Sequence, residues 1–347
     1  MSILTVPNWS RRRYSYAAML AATVLGLAFP AAAGAVLWPP LAVGMVVLGV
    51  AHGACDQLVV PASPTLSATA ARGWRYWLHF LLSYLGLAAV VGGLWWLWPA
   101  ATVAGFFLLT IWHWGSADAP AVSQVPSTGW WLTHSLLRGL LVFAVPAWWW
   151  PTETSAIINE LLAFAGATPV SATVFARVTT ALIWLVASGQ LGLWGLYAVR
   201  GEWQLVLAEA AEVLVLTAMF VTLPPRLALG VYFVFWHSLQ HVLRLNGWLG
   251  YTAARKRAAK SDLLPQLVFF LRRAAPLLLV SCAALLVLGY LLAARLPNEA
   301  AWFSLALVIA SIVTLPHALL VTLVMDAPQW LRLGRRVAPV GSAPQSA

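Results

Sequence analysis

Apolar runs of about 20 residues recur along the whole chain, and the charged residues sit almost entirely between them. About 20 apolar residues is the length an α-helix needs to cross the hydrocarbon core of a bilayer. With 62% hydrophobic and only 9% charged residues in 347, the chain has too little polar surface to cover a water-soluble globule of this size. The expected fold is all-α: a polytopic transmembrane helix bundle forming a single integral membrane domain over residues 1–347.

Spans are expected near 16–37, 40–60, 75–98, 101–117, 130–150, 173–197, 204–222, 227–249, 274–294 and 300–323, about ten in all. Flanking them are a basic N-terminal tail, 1–15, and a C-terminal tail, 326–347. Arg11, Arg12 and Arg13 ahead of an apolar stretch, with Ala31, Ala32 and Ala33 as small residues, resemble a secretory signal. The stretch is long enough to span, however, and the next begins at Pro39, so a retained first helix is expected. Ser155–Gly166 is too short and amphipathic to cross and is expected to lie at the interface or re-enter. Pro120–Thr128 and Ser342–Ala347 read as loop and tail.

Net charge +10 would suggest nucleic acid in a soluble protein; here topology accounts for it. With both termini cytoplasmic, Arg72, Arg75, Arg138, Arg200, Arg244, Arg255, Lys256, Arg257, Lys260, Arg272, Arg273, Arg332, Arg335 and Arg336 join the N-terminal arginines on or near the inside. Arg177, Arg226 and Arg295 fall outside, a split that follows the positive-inside bias. Of 21 tryptophans, Trp95, Trp96, Trp98, Trp148, Trp149 and Trp150 stand at span ends, where aromatic belts form. Cys55 and Cys282 have no CxxC spacing and indicate neither a disulfide framework nor a zinc site. No internal repeat or matched pair of broken helices is present, which weakens a secondary-transporter reading.

All seven histidines lie within spans or at their ends, in the cytoplasmic half by the expected topology. Ionisable groups at such positions are functional candidates. In His237-Ser238-Leu239-Gln240-His241 the two imidazoles fall on one helix face a turn apart, which suits one metal ion. In Ala51-His52-Gly53-Ala54-Cys55-Asp56, Asp56 stands one helical turn beyond His52 and is expected to accept the second N–H of an imidazole, while Gly53 lets a neighbour approach. In Trp112-His113-Trp114-Gly115-Ser116-Ala117-Asp118 a histidine lies between tryptophans with a carboxylate shortly after. His134, ahead of Ser135 and Arg138, and His317 after Pro316 are expected as packing or supporting members. His79, beside Trp77 and Phe80, is expected at the interface.

AHGACD at 51–56, WHWGSAD at 112–118, FWHSLQH at 235–241 and PHALLV at 316–321 together resemble the Brp/Blh family of microbial membrane β-carotene 15,15'-dioxygenases, which form retinal. The resemblance covers essentially all the spans. It departs at Ala51 and Gln57, where the family pattern has proline and often a further histidine. It implies iron(II) on His52, His113, His237 and His241, with dioxygen as co-substrate, β-carotene as substrate and retinal as product. It further implies supporting roles for Asp56, Asp118, His134 and His317, and a substrate tunnel lined by Trp112, Trp114, Phe235 and Trp236. Membrane lipid is the expected surrounding, a retinal-binding rhodopsin a recipient of product, and the cytoplasmic membrane of a bacterium or archaeon the expected location. Competing readings are a b-type haem electron carrier, a metal or ion transporter and, with only one HxxxH, a di-iron desaturase.

Overall fold

The computed structural model describes residues 9–62, 73–120, 125, 127–251 and 263–327. Among them are helices and turns with no strand. The long helices are α1 (Trp9–Ala28), α2 (Pro30–Gly53), α4 (Trp74–Leu97), α5 (Pro99–Asp118), α6 (Thr128–Trp149), α8 (Ala172–Val199) and α9 (Trp203–Thr222). They continue with α10, which runs from Pro225–Val231 through Tyr232–Ser238 to Leu239–Trp248, then α11 (Leu263–Arg295) and α12 (Glu299–Met325). Two shorter helices, α3 (Asp56–Val59) and α7 (Pro151–Phe164), fall between them.

Six helices, α2, α4, α8, α9, α11 and α12, are long and apolar enough to cross a membrane. The chain is a multi-pass helical membrane protein. The other long helices, α1, α5, α6 and α10, carry many of the polar side chains that the bundle buries, among them His113, His134, Arg138, His237 and His241, which lowers their apolarity without turning them to water.

The breaks between helices obey a local rule. Phe29, Trp98 and Trp150 each leave the helical conformation, with φ of −139°, −141° and −120° and ψ of 60°, 65° and 60°. Each precedes a proline, whose ring disfavours helix at the residue before it while fitting the first helical turn after it. The expected boundary between the first two spans therefore moves from Pro39 to Phe29-Pro30. Pro39 and Pro40 lie inside α2, where the bundle absorbs the two lost donors.

Other boundaries shift for reasons of charge. The expected tail 1–15 is helical from Trp9, because Arg12 is neutralised by Glu212 at 2.5 Å. At the other end Asp326 is buried against Arg244 at 2.5 Å. The span expected from 274 starts at Leu263, since Arg273 lies over the Phe269 ring at 4.1 Å and does not need to leave the helix. Ser155–Gly166 is largely helical within α7, whose Glu160 pairs with Arg226. Trp95 departs from the belt: it is buried and donates to Ser311 Oγ at 2.6 Å, while Trp96 and Trp98 are exposed. Residues 1–8, Arg72, Arg255, Lys256, Arg257, Lys260, Arg332, Arg335, Arg336, Ser342–Ala347 and part of Pro120–Thr128 lie outside the described residues.

Two glycine contacts position the helices that bear histidines. On α5 and α6, a Cβ at Gly115 would overlap the Ser135 carbonyl oxygen and one at Gly139 the Ile111 carbonyl oxygen, so the backbones touch directly. On α2, a Cβ at Gly44 would overlap Val234, and one at Gly49 would come within 3.0 Å of Phe233. That brings α2 onto the middle of α10. Gly53, expected to let a neighbouring helix or a ligand come close, has no neighbouring helix within reach of a Cβ among the described residues and faces open space.

Candidate metal centre

Three stretches of π-helix, Met45–Val50, Tyr232–Ser238 and Val321–Met325, interrupt α2, α10 and α12. The first ends two residues before His52, the second contains His237, and the third begins four residues after His317 and closes α12. A π-helical turn carries an extra residue and so rotates the next part of the helix, and such turns concentrate at functional sites. With His113 from α5 and His241 a turn after His237, five imidazoles from four helices meet in the interior, each no more than 7% exposed.

The rings surround one space. His52 lies 6.1 Å from His237, 5.3 Å from His241 and 4.9 Å from His317, centroid to centroid. His113 lies 5.1 Å from His237, 6.4 Å from His241 and 5.0 Å from His317. His241 also meets His237 at 6.3 Å and His317 at 5.2 Å, so it contacts all four others. Imidazoles sharing one ion through bonds of about 2.1 Å place their centroids roughly 5 Å apart, and five of these eight separations fall within a few tenths of that. By donor positions alone no three His, Cys, Asp or Glu among the described residues are already closed around a point. The fit therefore rests on the ring arrangement and on the state of the nitrogens.

Both nitrogens of His113, His237 and His241, and Nε2 of His317, are buried without a hydrogen-bond partner. Leaving such groups unmade costs about 1–3 kcal/mol each, and a bound transition metal would take up the lone-pair nitrogen of each ring. His52 Nδ1 donates to the Leu48 carbonyl at 3.0 Å. A carbonyl can only accept, so His52 Nε2 keeps its lone pair. Neutral imidazoles suit iron, copper or zinc in an apolar interior, and the residues present fit such an ion.

The supporting residues differ from expectation. The helix is broken at Ala54 and Cys55, so Asp56 does not stand over His52. Its oxygens lie 2.9 Å from His317 Nδ1, and Tyr84 donates to it from α4 at 3.0 Å. Asp118 lies five residues after His113, about 140° around the helix; it accepts from Tyr232 Oη at 2.6 Å and Trp236 Nε1 at 3.0 Å. His134 is bonded to Tyr197 Oη at 2.7 Å and faces Glu209 at 3.1 Å. His79 is exposed and bonded to the Arg75 carbonyl.

Of the four expected tunnel residues, Trp114 meets a histidine, with its ring 5.5 Å from His237. Trp112 packs on Trp131, Trp236 on Tyr16, and Phe235 lies near Gly44. Phe233, one turn before His237, is the aromatic that flanks the pocket, 6.1 Å from His237 and 6.0 Å from His52. Its signal was the helical period: a residue four away shares a face, a neighbour does not.

A second polar cluster was also missed. Arg138 on α6 donates to Glu209 at 2.7 Å and Glu212 at 2.5 Å, and Arg12 donates to Glu212 and to the Asp118 carbonyl. Two carboxylates three residues apart in the apolar run of α9 were a readable sign of it.

The class of protein this defines is a multi-pass helical membrane protein that gathers five buried imidazoles in one interior pocket. The chain belongs to the β-carotene 15,15'-dioxygenase family, whose sequence profile it matches over residues 43–325, and it is an enzyme of the oxygenase class. It is 32% identical over 319 residues to a protein of Halobacterium salinarum named "Probable beta-carotene 15,15'-dioxygenase Blh", covering 85% of this chain and 88% of that one. No solved structure matches it.

Proposed function

We propose that this protein cleaves β-carotene at its central 15,15' double bond with dioxygen, giving two molecules of retinal, and that His52, His113, His237 and His241 hold an iron(II) ion for the reaction. The observation that carries this reading is the pocket of neutral rings with orphaned nitrogens, in a chain of this family. Iron supplies the dioxygen activation that an all-carbon, spin-paired substrate cannot provide for itself. The residues contribute position and environment. The backbone bond to Leu48 orients the His52 ring, and Phe233 and Trp114 present flat apolar faces beside His237 that suit a polyene.

A C40 hydrocarbon dissolves in membrane lipid and hardly in water, so a buried pocket meets substrate where it already resides. We further propose a single membrane domain of about ten crossings with both termini cytoplasmic, in the cytoplasmic membrane, and a retinal-binding rhodopsin as recipient of product. A b-type haem fits poorly: a macrocycle needs a flat open slot between two axial rings, and here other imidazoles stand around the same space.

The test is expression in a β-carotene-accumulating bacterium with chromatography of the pigments. Loss of β-carotene with equivalent gain of retinal is expected. Unchanged pigment alongside folded, iron-loaded protein would exclude this substrate.

A further inference from the structure

We propose that His317 is a fifth ligand of the metal pocket, held from behind by Asp56 and Tyr84, and that it binds through Nε2. This rests on the metal reading above and adds to it the donor that sequence spacing assigned to a supporting role.

Position comes first. The His317 ring is 4.9 Å from His52, 5.0 Å from His113 and 5.2 Å from His241, as close as any pair among the four expected ligands. Direction comes next. Both Asp56 oxygens lie 2.9 Å from Nδ1, and the carboxylate can only accept, so Nδ1 carries the proton and Nε2 the lone pair. Nε2 is buried and has no partner. A histidine kept only to anchor Asp56 has no reason to leave that nitrogen orphaned.

Charge supplies an independent argument. Asp56 is 1% exposed, and the ion pair it makes is with His317. Among the described residues its hydrogen-bond partners are this ring and the Tyr84 phenol, and a buried carboxylate without a cation beside it is costly. A divalent cation on the far side of that ring offsets the negative charge, while the carboxylate strengthens the imidazole as a donor. Tyr84 fixes the carboxylate from α4 and Asp56 itself stands on α3, so six helices contribute to the pocket or its support.

The experiment is titration of Co(II) into purified wild-type protein, His317→Gly and Asp56→Asn in detergent, read by visible d–d absorption and by X-ray absorption counting of nitrogen ligands. Wild type is expected to show five nitrogens. His317→Gly should lose one, show a more intense lower-coordinate spectrum and bind Co(II) more than ~100-fold more weakly, with free imidazole restoring both. Asp56→Asn should keep the nitrogen count and weaken binding by about 10–100-fold. Wild-type spectrum and affinity in His317→Gly, or four nitrogens in wild type, would overturn the assignment and leave the four-histidine pocket standing. Folded wild type that takes up no Co(II) would remove both. Should His317→Gly fail to fold, unchanged affinity in Asp56→Asn alone overturns the backing role.

Discussion

The histidine pocket and the Arg138 cluster are both buried polar assemblies of the same bundle, and they differ in completeness. In the cluster, Arg138 and Arg12 are matched to Glu209 and Glu212 at 2.5 to 2.7 Å, and His134 is held by Tyr197 and Glu209. In the pocket, seven imidazole nitrogens are without partners, whereas in the cluster the charges are paired and the atoms left without a hydrogen bond are Arg138 Nε and His134 Nδ1, the latter 3.1 Å from Glu209. A satisfied network gains nothing from a further ligand, and its effect falls on structure. An unsatisfied one of neutral donors is stabilised by whatever completes it. Both sets consist of residues that sequence reading alone would call functional, and the hydrogen bonds tell them apart.

Substitutions can break or sharpen that distinction. The largest effect is expected at His237→Ala or His241→Ala, where bound iron and retinal formation should be abolished while detergent melting stays within about 1 kcal/mol of metal-free wild type, since a partnerless group is removed. Iron analysis beside a melting curve checks this, and full iron content in either variant would contradict the pocket. Arg138→Ala should do the reverse. It strands Glu209 and Glu212, and breaking a buried ion pair costs about 3–5 kcal/mol. Size-exclusion profiles and melting should reveal misfolding, and any iron loss should track the folded fraction.

Asp118→Asn should fall between them, at about 1–3 kcal/mol, because it weakens the bonds to Tyr232 and Trp236 that hold the π-helical part of α10. Its signature would be a lowered melting point with iron still bound. Phe233→Leu should be the mildest in stability, under about 1.5 kcal/mol. There the expected change is a slower rate with unchanged iron content, read by initial rates of carotene loss; an unaltered rate would remove Phe233 from the substrate face.

The helices were legible because a bilayer demands apolar length, and seven of the ten expected spans match long helices closely. The remaining three were misplaced by prolines and arginines taken as boundaries. Pro39 and Pro40 stayed inside α2, and Arg272 and Arg273 inside α11. A packed helical bundle tolerates both where an isolated helix in lipid does not. In the pocket, the four expected ligands do gather. Where regular helix was assumed the partners differ: the break after Gly53 turns Asp56, expected to accept from an imidazole, to His317 and away from His52, and Phe235 and Trp236, adjacent to His237 in sequence, pack toward α2 and α1. No local pattern announced Tyr84, which reaches Asp56 from 28 residues away.

The π-helical stretches in α2, α10 and α12 have a consequence for how such a pocket could arise. A π-turn is an α-helix carrying roughly one residue too many. Deleting a residue from Tyr232–Ser238 should let α10 relax to regular helix, keeping its apolar faces nearly in place while swinging Phe233 or His237 away from the centre. The bundle would then survive as a plain scaffold with its ring of imidazoles dispersed. Single-residue changes in chain length, more than exchanges of side chain, are thus the natural route by which this architecture gains or loses a centre.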